Sequence, residues 1–346
     1  MPSRLETLLP QFKSTQLKQL ASICGAKASG RKAELVERLT SIAKLPVAKN
    51  KPLILSIDMG IRNLGYSFLT PAAEPGQDKP AALTAEDLRS PPRIHLHAWR
   101  RRELFEISPD EPVDPDQFSP TSLAIAADRL VRQDLLPLKP THVLIERQRW
   151  RSGGAAAIQE WTVRVNTLEA MLHASLRTSR ELGHWNGETA SVSPTSVTRF
   201  WPAPATITNK EDTPKRKSKA VEGKPRKESK SQQSKKHKIG VLTDWLKMES
   251  KDQVILPANR DMENALKQFR LKLSGARRSR VAEADLVIEA GPRKIDDLTD
   301  CLLQGVAWLK WEENRALLLR EDMIMELLDS NILDEQDVTP LDDIID

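Results

Sequence analysis

The chain has few cysteines and no long apolar run. Its 346 residues contain two cysteines, Cys24 and Cys301. Two cysteines so far apart exclude a disulfide scaffold and a cysteine-rich zinc site, and they fit a reducing compartment. No apolar stretch approaches the roughly 20 residues that cross a bilayer. Charged residues make up 29% and hydrophobic residues 39%, which indicates a soluble chain long enough for one sizeable domain and a small one.

Positive charge is scarce outside one segment. The net charge is +5, but Lys210–Lys238 holds 12 of the 53 basic residues and 4 of the 48 acidic ones, so the remainder is slightly acidic. The segment is low-complexity and lacks apolar periodicity, which predicts disorder when no partner is bound. We interpret this segment as a basic arm that binds phosphate groups. The alternative interpretation is a solvated spacer or a localisation patch. From Asp329 onward the chain is acidic.

Two short apolar segments each end in a single carboxylate. Leu53–Leu69 predicts a strand that ends at Asp58, a turn that contains Gly60, and a second strand running back. Thr141–Glu146 predicts another strand, which ends at Glu146. Because an ionised carboxylate is normally kept out of buried strands, Asp58 indicates a metal site. The alternative for Asp58 is a turn residue that caps a hairpin.

A third group of acids begins a predicted helix near the C-terminus. Lys294–Trp311 is amphipathic, and Asp296, Asp297 and Asp300 crowd its first turn. Residues three and four apart lie on one helical face, so Asp300 can share a face with either of the other two. N-terminal capping explains one or two of these aspartates. It explains less well three acids ahead of so apolar a helix.

Carboxylates from two strands and a helix, brought together, repel one another unless a dication neutralises them. Mg²⁺ prefers hard oxygen ligands. Two such ions about 4 Å apart can activate a water and stabilise the leaving oxygen in phosphodiester hydrolysis. The pattern therefore favours a metal-dependent nuclease. No serine–histidine or cysteine–histidine arrangement in the sequence competes with it.

The order of these acids on strand, strand and helix resembles the ribonuclease H-like superfamily. Within it, three segments resemble the fungal mitochondrial Holliday-junction resolvases, distant relatives of bacterial RuvC. The segments are IDMGIRNLGYSFL, IERQRWRSGGAAAIQEWTVRVNTLEAMLHA and KIDDLTDCLLQGVAWL. The resemblance covers roughly residues 51–312 and implies an α/β fold with a mixed sheet flanked by helices.

The resemblance also implies an activity and a site. It implies a homodimer that nicks two opposed strands of a four-way DNA junction with Mg²⁺, or with Mn²⁺ as a substitute, and leaves 5′-phosphate ends. The implied catalytic and metal-binding residues are Asp58, Glu146, Asp297 and Asp300, with Asp296 as the alternative to Asp297. A mitochondrial location follows from the family alone, because the first residues include Glu6 and are not a convincing presequence.

The first 44 residues predict a small helical unit that resembles a SAP motif, a helix–extension–helix that binds DNA backbones. The positions that fit this motif are Leu17, Leu20, Gly25, Gly30, Lys32, Leu35, Arg38 and Leu39. The alternative is a generic helical hairpin used for packing. We predict a linker over residues 45–52, a nuclease core over 53–312 with a disordered insertion at 210–238, and a helical and acidic tail over 313–346.

Basic residues beside these motifs are candidates for phosphate contacts, which supply affinity without reading base sequence. They are Lys32, Arg38, Arg62, Arg147, Arg149, Arg151, Arg277, Arg278 and Arg280. Two other functions stay open. One is a different ribonuclease H-like nuclease, which acts on RNA–DNA hybrids or as a monomer. The other is a non-catalytic SAP-type DNA-binding protein, whose binding would depend on salt but not on metal.

Overall fold

The computed structural model describes residues 4–46, 51–72, 84–105, 117–148, 159–202, 230–249, 251–273, 295–330 and 332–334. Its strands are β1 (Ile54–Asp58), β2 (Leu64–Pro71), β3 (Ile94–Arg102), β4 (His142–Glu146), β5 (Glu188–Val192) and β6 (Ile255–Pro257). Its helices are α1 (Arg4–Leu8), α2 (Ser14–Ile23), α3 (Lys32–Ala43), α4 (Pro120–Arg129), α5 (Glu160–Glu181), α6 (Pro194–Phe200), α7 (Lys230–Lys247), α8 (Arg260–Leu273), α9 (Asp296–Leu317) and α10 (Glu321–Asp329).

The strands form one mixed sheet with the order β5-β4-β1-β2-β3-β6. Strand β1 lies at its centre, antiparallel to β2 and parallel to β4. Strands β2 and β3 are antiparallel, with an irregularity in register between Phe68 and Leu69. The outer strands β5 and β6 run parallel to β4 and β3. The two strands that were predicted to end in carboxylates are therefore direct neighbours.

Alternating side chains divide the buried residues of the sheet between two faces, as successive strand residues must. Leu55 and Ile57 of β1 pack with α4 and α5 on one face. Ile54 of β1, Leu69 of β2, and Leu96 and Trp99 of β3 pack on the other face, where α9 is the main covering element. Leu298, Leu302, Leu303 and Val306 of α9 are at most 1% exposed. Each such burial contributes about 1.5–3 kcal/mol, so α9 is fixed firmly to the sheet.

The N-terminal helices share this second apolar core. Leu17, Leu20 and Leu35 belong to the same buried cluster as the α9 leucines. Gly25 lies against Trp311, since a Cβ at Gly25 would come 2.3 Å from the indole ring. The small helical unit is thus packed on the C-terminal half of α9.

Helix α7 begins earlier than the sequence pattern predicts. The disorder predicted for residues 210–238 is wrong for residues 230–238, because α7 starts at Lys230. The physical reason is the apolar face that follows. Val241, Leu242 and Trp245 are buried, and a helix anchored by that face extends backward through the lysines. Residues 210–229 lie outside the described residues. No helix in the described part of the chain is long and apolar enough to cross a membrane.

Candidate metal centre and nucleic-acid cleft

Asp58 ends the central strand on the face that α9 covers. Leu55 and Ile57 point to the opposite face, so strand alternation places Ser56 and Asp58 toward α9. Asp58 is only 9% exposed. A carboxylate so buried needs compensating charge or hydrogen-bond donors.

Glu146 lies beside Asp58 because β1 and β4 are parallel and in register. Ile57 pairs with Ile145, so the next residue of each strand brings the two acids together. Asp300 approaches from the first turns of α9. One carboxylate oxygen from each of Asp58, Glu146 and Asp300 lies within 4.8 Å of the others. The structure therefore brings three of the predicted ligands into one cluster.

The position of α9 depends on one glycine and on hydrogen bonds to the sheet. A Cβ at Gly65 would come 2.6 Å from the carbonyl oxygen of Asp297, so only glycine lets β2 approach this turn. The Gln304 Nε2 donates to Ser56 Oγ at 3.0 Å and to the Ile57 carbonyl at 3.2 Å. Trp99 Nε1 donates to the Leu298 carbonyl at 2.8 Å. These contacts hold the helix acids against the end of β1.

Asp297 and Asp296 occupy different surroundings. Asp297 lines the same cleft as Glu146, and its charge acts on Asp58. Asp296 instead forms an ion pair with Lys235, whose Nζ lies 2.7 Å from its Oδ2. Asp297 therefore lines the cleft beside the acidic cluster, whereas Asp296 is paired with Lys235, although its charge still acts on Asp300.

Crowding of the acids changes their proton affinity. Burial, reinforced by the charges of Glu146, Asp300 and Asp297, raises the pKa of Asp58 well above its usual range. Burial also raises the pKa of Asp300 to about 6, although Lys238 acts in the opposite direction. The cluster thus binds positive charge favourably, whether as protons or as cations.

A lysine that the sequence analysis did not assign to the site lies against these acids. Lys238 of α7 places its Nζ 2.9 Å from Asp300 Oδ2, and its side chain is 12% exposed. Burial disfavours its charge, but Asp300, Glu146 and Asp58 outweigh this effect and raise its pKa. Its spacing of three, four and seven residues from the buried residues 241, 242 and 245 could have placed Lys238 on the inward face of a helix, but could not have identified Asp300 as its partner.

A cleft of about 390 Å³ opens beside the acids. Its lining includes Arg62, Asn63, Glu146, Arg147, Trp161 and Asp297. The Arg62 guanidinium lies 5.5 Å from the centre of the Trp161 ring, and Trp161 is 40% exposed. The Gln148 backbone N–H donates to Glu169 at 2.9 Å, which holds the chain after β4 at the rim of the cleft. Glu169 was also missed from sequence, because its partner is a backbone group on another element.

The other predicted phosphate contacts are spread over the molecule. Arg149, Arg151, Arg277, Arg278 and Arg280 lie outside the described residues. Lys32 is exposed at the start of α3. Arg38 is half-buried, and its guanidinium donates to the carbonyls of Lys27 and Ser29. Arg38 therefore closes the loop between α2 and α3, and neither it nor Lys32 lines the cleft.

The residues of the acidic cluster fit divalent metal ions. Its donor set consists of carboxylate oxygens that lie within 4.8 Å of one another, and hard oxygen ligands suit Mg²⁺ and Mn²⁺. Burial and the neighbouring acids raise the pKa values of Asp58 and Asp300, which is the electrostatic setting that a bound cation would relieve. Asp58, Glu146 and Asp300, with Asp297 beside them, are the residues that could hold such ions.

A mixed sheet with carboxylates on neighbouring central strands and on the covering helix defines a ribonuclease H-like fold, as predicted. The chain belongs to the family described as mitochondrial resolvase Ydc2 / RNA splicing MRS1, whose model matches residues 54–318. A SAP domain model matches residues 9–41. The resemblances that the sequence analysis drew to both are confirmed.

Named relatives agree with this family. The chain is 31% identical over 189 residues to cruciform cutting endonuclease 1, mitochondrial, of Schizosaccharomyces pombe, a match that covers 54% of this chain and 65% of that protein. It is 25% identical over 350 residues to the Saccharomyces cerevisiae protein of the same name, covering 95% and 88%. Both names carry the mitochondrial location that the family resemblance implied, and that expectation is confirmed for the family.

A solved structure shares the fold. It is the crystal structure of the yeast mitochondrial Holliday junction resolvase Ydc2, which is 25% identical to this chain with a TM-score of 0.55. The match covers 90% of this chain and 98% of the solved one. The similarity therefore extends over nearly the whole architecture.

Proposed function

We propose that the chain is a structure-selective endonuclease that resolves four-way DNA junctions by paired, metal-dependent nicks in opposed strands. One observation carries this proposal: Asp58, Glu146 and Asp300 converge to within 4.8 Å in a chain of the resolvase family. A protein that only binds DNA has no need of such a cluster, since uncompensated buried acids cost stability.

The proposed metal ligands are Asp58, Glu146, Asp297 and Asp300, with Mg²⁺ as the cofactor and Mn²⁺ as a substitute. When bound, such ions would supply Lewis-acid stabilisation and a nucleophilic water for in-line hydrolysis that leaves a 5′-phosphate and a 3′-hydroxyl. Gln304 and Gly65 would keep the carboxylates converged, since they fix α9 against β1 and β2. Asp296 would remain outside this ligand set because it pairs with Lys235.

The cleft beside the acids would hold a DNA strand. Arg62 and Arg147 border it next to Glu146 and Asp297, so their guanidinium groups can bind phosphates on either side of the cut. Lys32 on the SAP unit would add a distant phosphate contact. Phosphate contacts of this kind select the shape of a substrate more than its sequence.

A homodimer is part of this proposal. Two opposed strands of a junction are related by an approximate two-fold axis, and a two-fold dimer would present one acidic cluster to each of them. Paired nicks would then follow from symmetry.

A second candidate function comes from the family description, which also names RNA splicing. In that case the cleft would bind structured RNA, and no cutting would occur. The carboxylate cluster favours the endonuclease, and substrate tests separate the two candidates.

The test uses a synthetic four-way DNA junction with each strand labelled in turn, beside linear duplex and an RNA–DNA hybrid. We expect paired nicks in opposed strands of the junction alone with Mg²⁺ or Mn²⁺, and the nicked ends should be sealed by DNA ligase. Asp58→Asn should reduce cleavage at least about a thousandfold, since such ions contribute several kcal/mol. Asp128→Asn is the matched control, because Asp128 forms an exposed ion pair with Arg132.

Binding of the junction without cleavage in either metal would overturn the endonuclease. Cleavage of the RNA–DNA hybrid instead of the junction would identify a different nuclease of the same fold. Tighter binding to structured RNA than to the junction would support the splicing candidate. Light scattering of the protein on the junction measures the proposed dimer, and one copy per junction would contradict it.

A further inference from the structure

Lys238 of α7 reaches the acidic cluster with its side chain. Its Nζ lies 2.9 Å from Asp300 Oδ2, and the pair is largely buried, with 12% and 22% of the side chains exposed. Glu146 and Asp58 also act on its charge. Lys235, one turn earlier, contacts Asp296 and is 56% exposed. The two lysines therefore differ in their burial and in the carboxylate that each contacts.

The helix that carries Lys238 is fixed, whereas the lysine side chain can move. Leu242 is fully buried, and Trp245 packs edge-on against Trp201 with ring centres 4.8 Å apart. The neighbouring His237 is 5% exposed and its ring contacts the backbone of Trp201 and Thr198. A lysine has a flexible four-carbon stem. Its ammonium can leave Asp300 while α7 stays in place.

The charge of Lys238 has a direct consequence for metal binding. An ammonium group 2.9 Å from a ligand oxygen partly neutralises the carboxylates when no divalent ion is bound. The same ammonium repels a divalent ion at that carboxylate and competes for its oxygen. Like charges cannot share such a site without a large cost, so one of the two cations must move away.

We propose that Lys238 is the built-in counter-cation of this site, held by Asp300 in the absence of metal and displaced when a divalent ion binds. The proposal rests on the proposed function only in taking these carboxylates as metal ligands. Lys238 is thus a positioning residue, which keeps Asp300 in place before the metal arrives and sets how much metal the site requires.

The test is a titration of the full-length protein with Mn²⁺ in the absence of DNA, followed by electron paramagnetic resonance of free Mn²⁺. Lys238→Met removes the charge and keeps most of the apolar stem. We expect its dissociation constant for Mn²⁺ to fall by about tenfold or more, which is the scale of one close charge pair. Lys235→Met removes the same charge one turn away and should change the constant by less than about twofold, because Lys235 is 56% exposed and solvent screens its action on Asp300 and Asp297.

A second measurement concerns the protein in EDTA. Lys238→Met should melt at a lower temperature than the wild type, because Asp300 then lacks its partner, and saturating Mn²⁺ should close that gap. Lys235→Met should show neither effect. If Lys238→Met does not fold, as judged by circular dichroism, Lys238→Gln is titrated in its place. Asp58→Asn should abolish the tight site, which verifies where Mn²⁺ binds.

Unchanged or weaker Mn²⁺ binding in Lys238→Met would overturn the proposal, as would an equal gain in Lys235→Met. These results are independent of cleavage. A wild type that binds Mn²⁺ and cuts no junction would reject the proposed function and leave the role of Lys238 standing. A wild type that cuts junctions, with a Lys238→Met that binds Mn²⁺ no more tightly, would reject the role of Lys238 alone.

Discussion

The two ends of α9 differ in how their buried charged side chains are surrounded. At its start, Asp300 lies among other acids and its pKa rises to about 6. At its end, Arg315 is 3% exposed and every side of its guanidinium has an acceptor. The acceptors are the carbonyls of Ile42, Leu45 and Pro46 and the Glu312 carboxylate. At the first end Lys238 is the buried partner of Asp300 amid several acids, so its positive charge is shared; at the second end one guanidinium has an acceptor for each of its nitrogens.

This difference distinguishes a candidate cation-binding site at the start of α9 from a structural contact at its end. Arg315 and the adjacent Asn314, which donates to the Ile23 and Leu88 carbonyls at 2.8 Å, fasten the SAP unit to the sheet. The acids at the other end leave electrostatic repulsion in place, which a bound cation can relieve. Stability should therefore fall when the C-terminal end is altered and rise when an acid is removed.

The largest expected effect on stability is at Arg315, at the C-terminal end of α9. Arg315→Met leaves three carbonyls and Glu312 without their buried donor, so we expect the free energy of unfolding to fall by about 2–3 kcal/mol. Urea denaturation measures this. Arg320→Met is the control, because Arg320 pairs with Asp322 at the surface and should change stability by less than about 0.5 kcal/mol. Mn²⁺ affinity should be unchanged in Arg315→Met; a large loss would show that the two ends are not separable.

The next effect is at the contact between β2 and the first turn of α9. Gly65→Ala puts a methyl group 2.6 Å from the Asp297 carbonyl oxygen, and a backbone group cannot yield without moving the helix. We expect a loss of about 2 kcal/mol together with weaker Mn²⁺ binding. In Gly305→Ala the nearest atom is the Leu69 side chain at 2.8 Å, so stability should fall with little change in Mn²⁺ affinity. Equal Mn²⁺ affinities for Gly65→Ala and the wild type would contradict the role of Gly65.

The smallest effect has the opposite sign. In EDTA at neutral pH, Asp58→Asn should raise the free energy of unfolding by about 1 kcal/mol, since it removes a repelled, buried charge. The pKa of Asp58 is raised in the folded state, so the folded protein binds this proton more tightly and the penalty exists only while the group is ionised. The gain should therefore shrink as the pH falls toward the ordinary aspartate value of 3.8. Thermal melts of both proteins across this range check it, and a gain that grows at low pH would contradict it.

Local patterns were enough to single out the acids that the structure brings together. Asp58 and Glu146 end apolar strands, and the helix aspartates precede an apolar stripe, so both signals are contained in a few consecutive residues. The sequence could not decide between Asp296 and Asp297, because both spacings to Asp300 fit one helical face. Packing separates them: Asp297 faces the cleft, while Asp296 reaches Lys235.

Contacts between distant elements could not be predicted in this way. Lys238 lies in a lysine-rich segment without apolar periodicity, and its partner Asp300 is 62 residues away. Arg315 binds backbone carbonyls 269–273 residues earlier, in a region predicted to be a small unit and a linker. No composition or spacing reveals a partner that only the folded chain brings near. The apolar core that joins the SAP unit to α9 was missed for the same reason.

The long sequence separation between β1 and α9 also determines when the acidic cluster can form during synthesis of the chain. Asp58 is synthesised early. Gln304, which lies 247 residues after the Ile57 carbonyl to which it donates, is synthesised late. The carbonyls of Ile42, Leu45 and Pro46 likewise gain their donor only after Arg315 has been synthesised. A ribosome-bound or prematurely ended chain therefore carries Asp58 and Glu146 without the helix that completes their cluster. The cluster of Asp58, Glu146 and Asp300 can therefore form only after nearly the whole core has been synthesised.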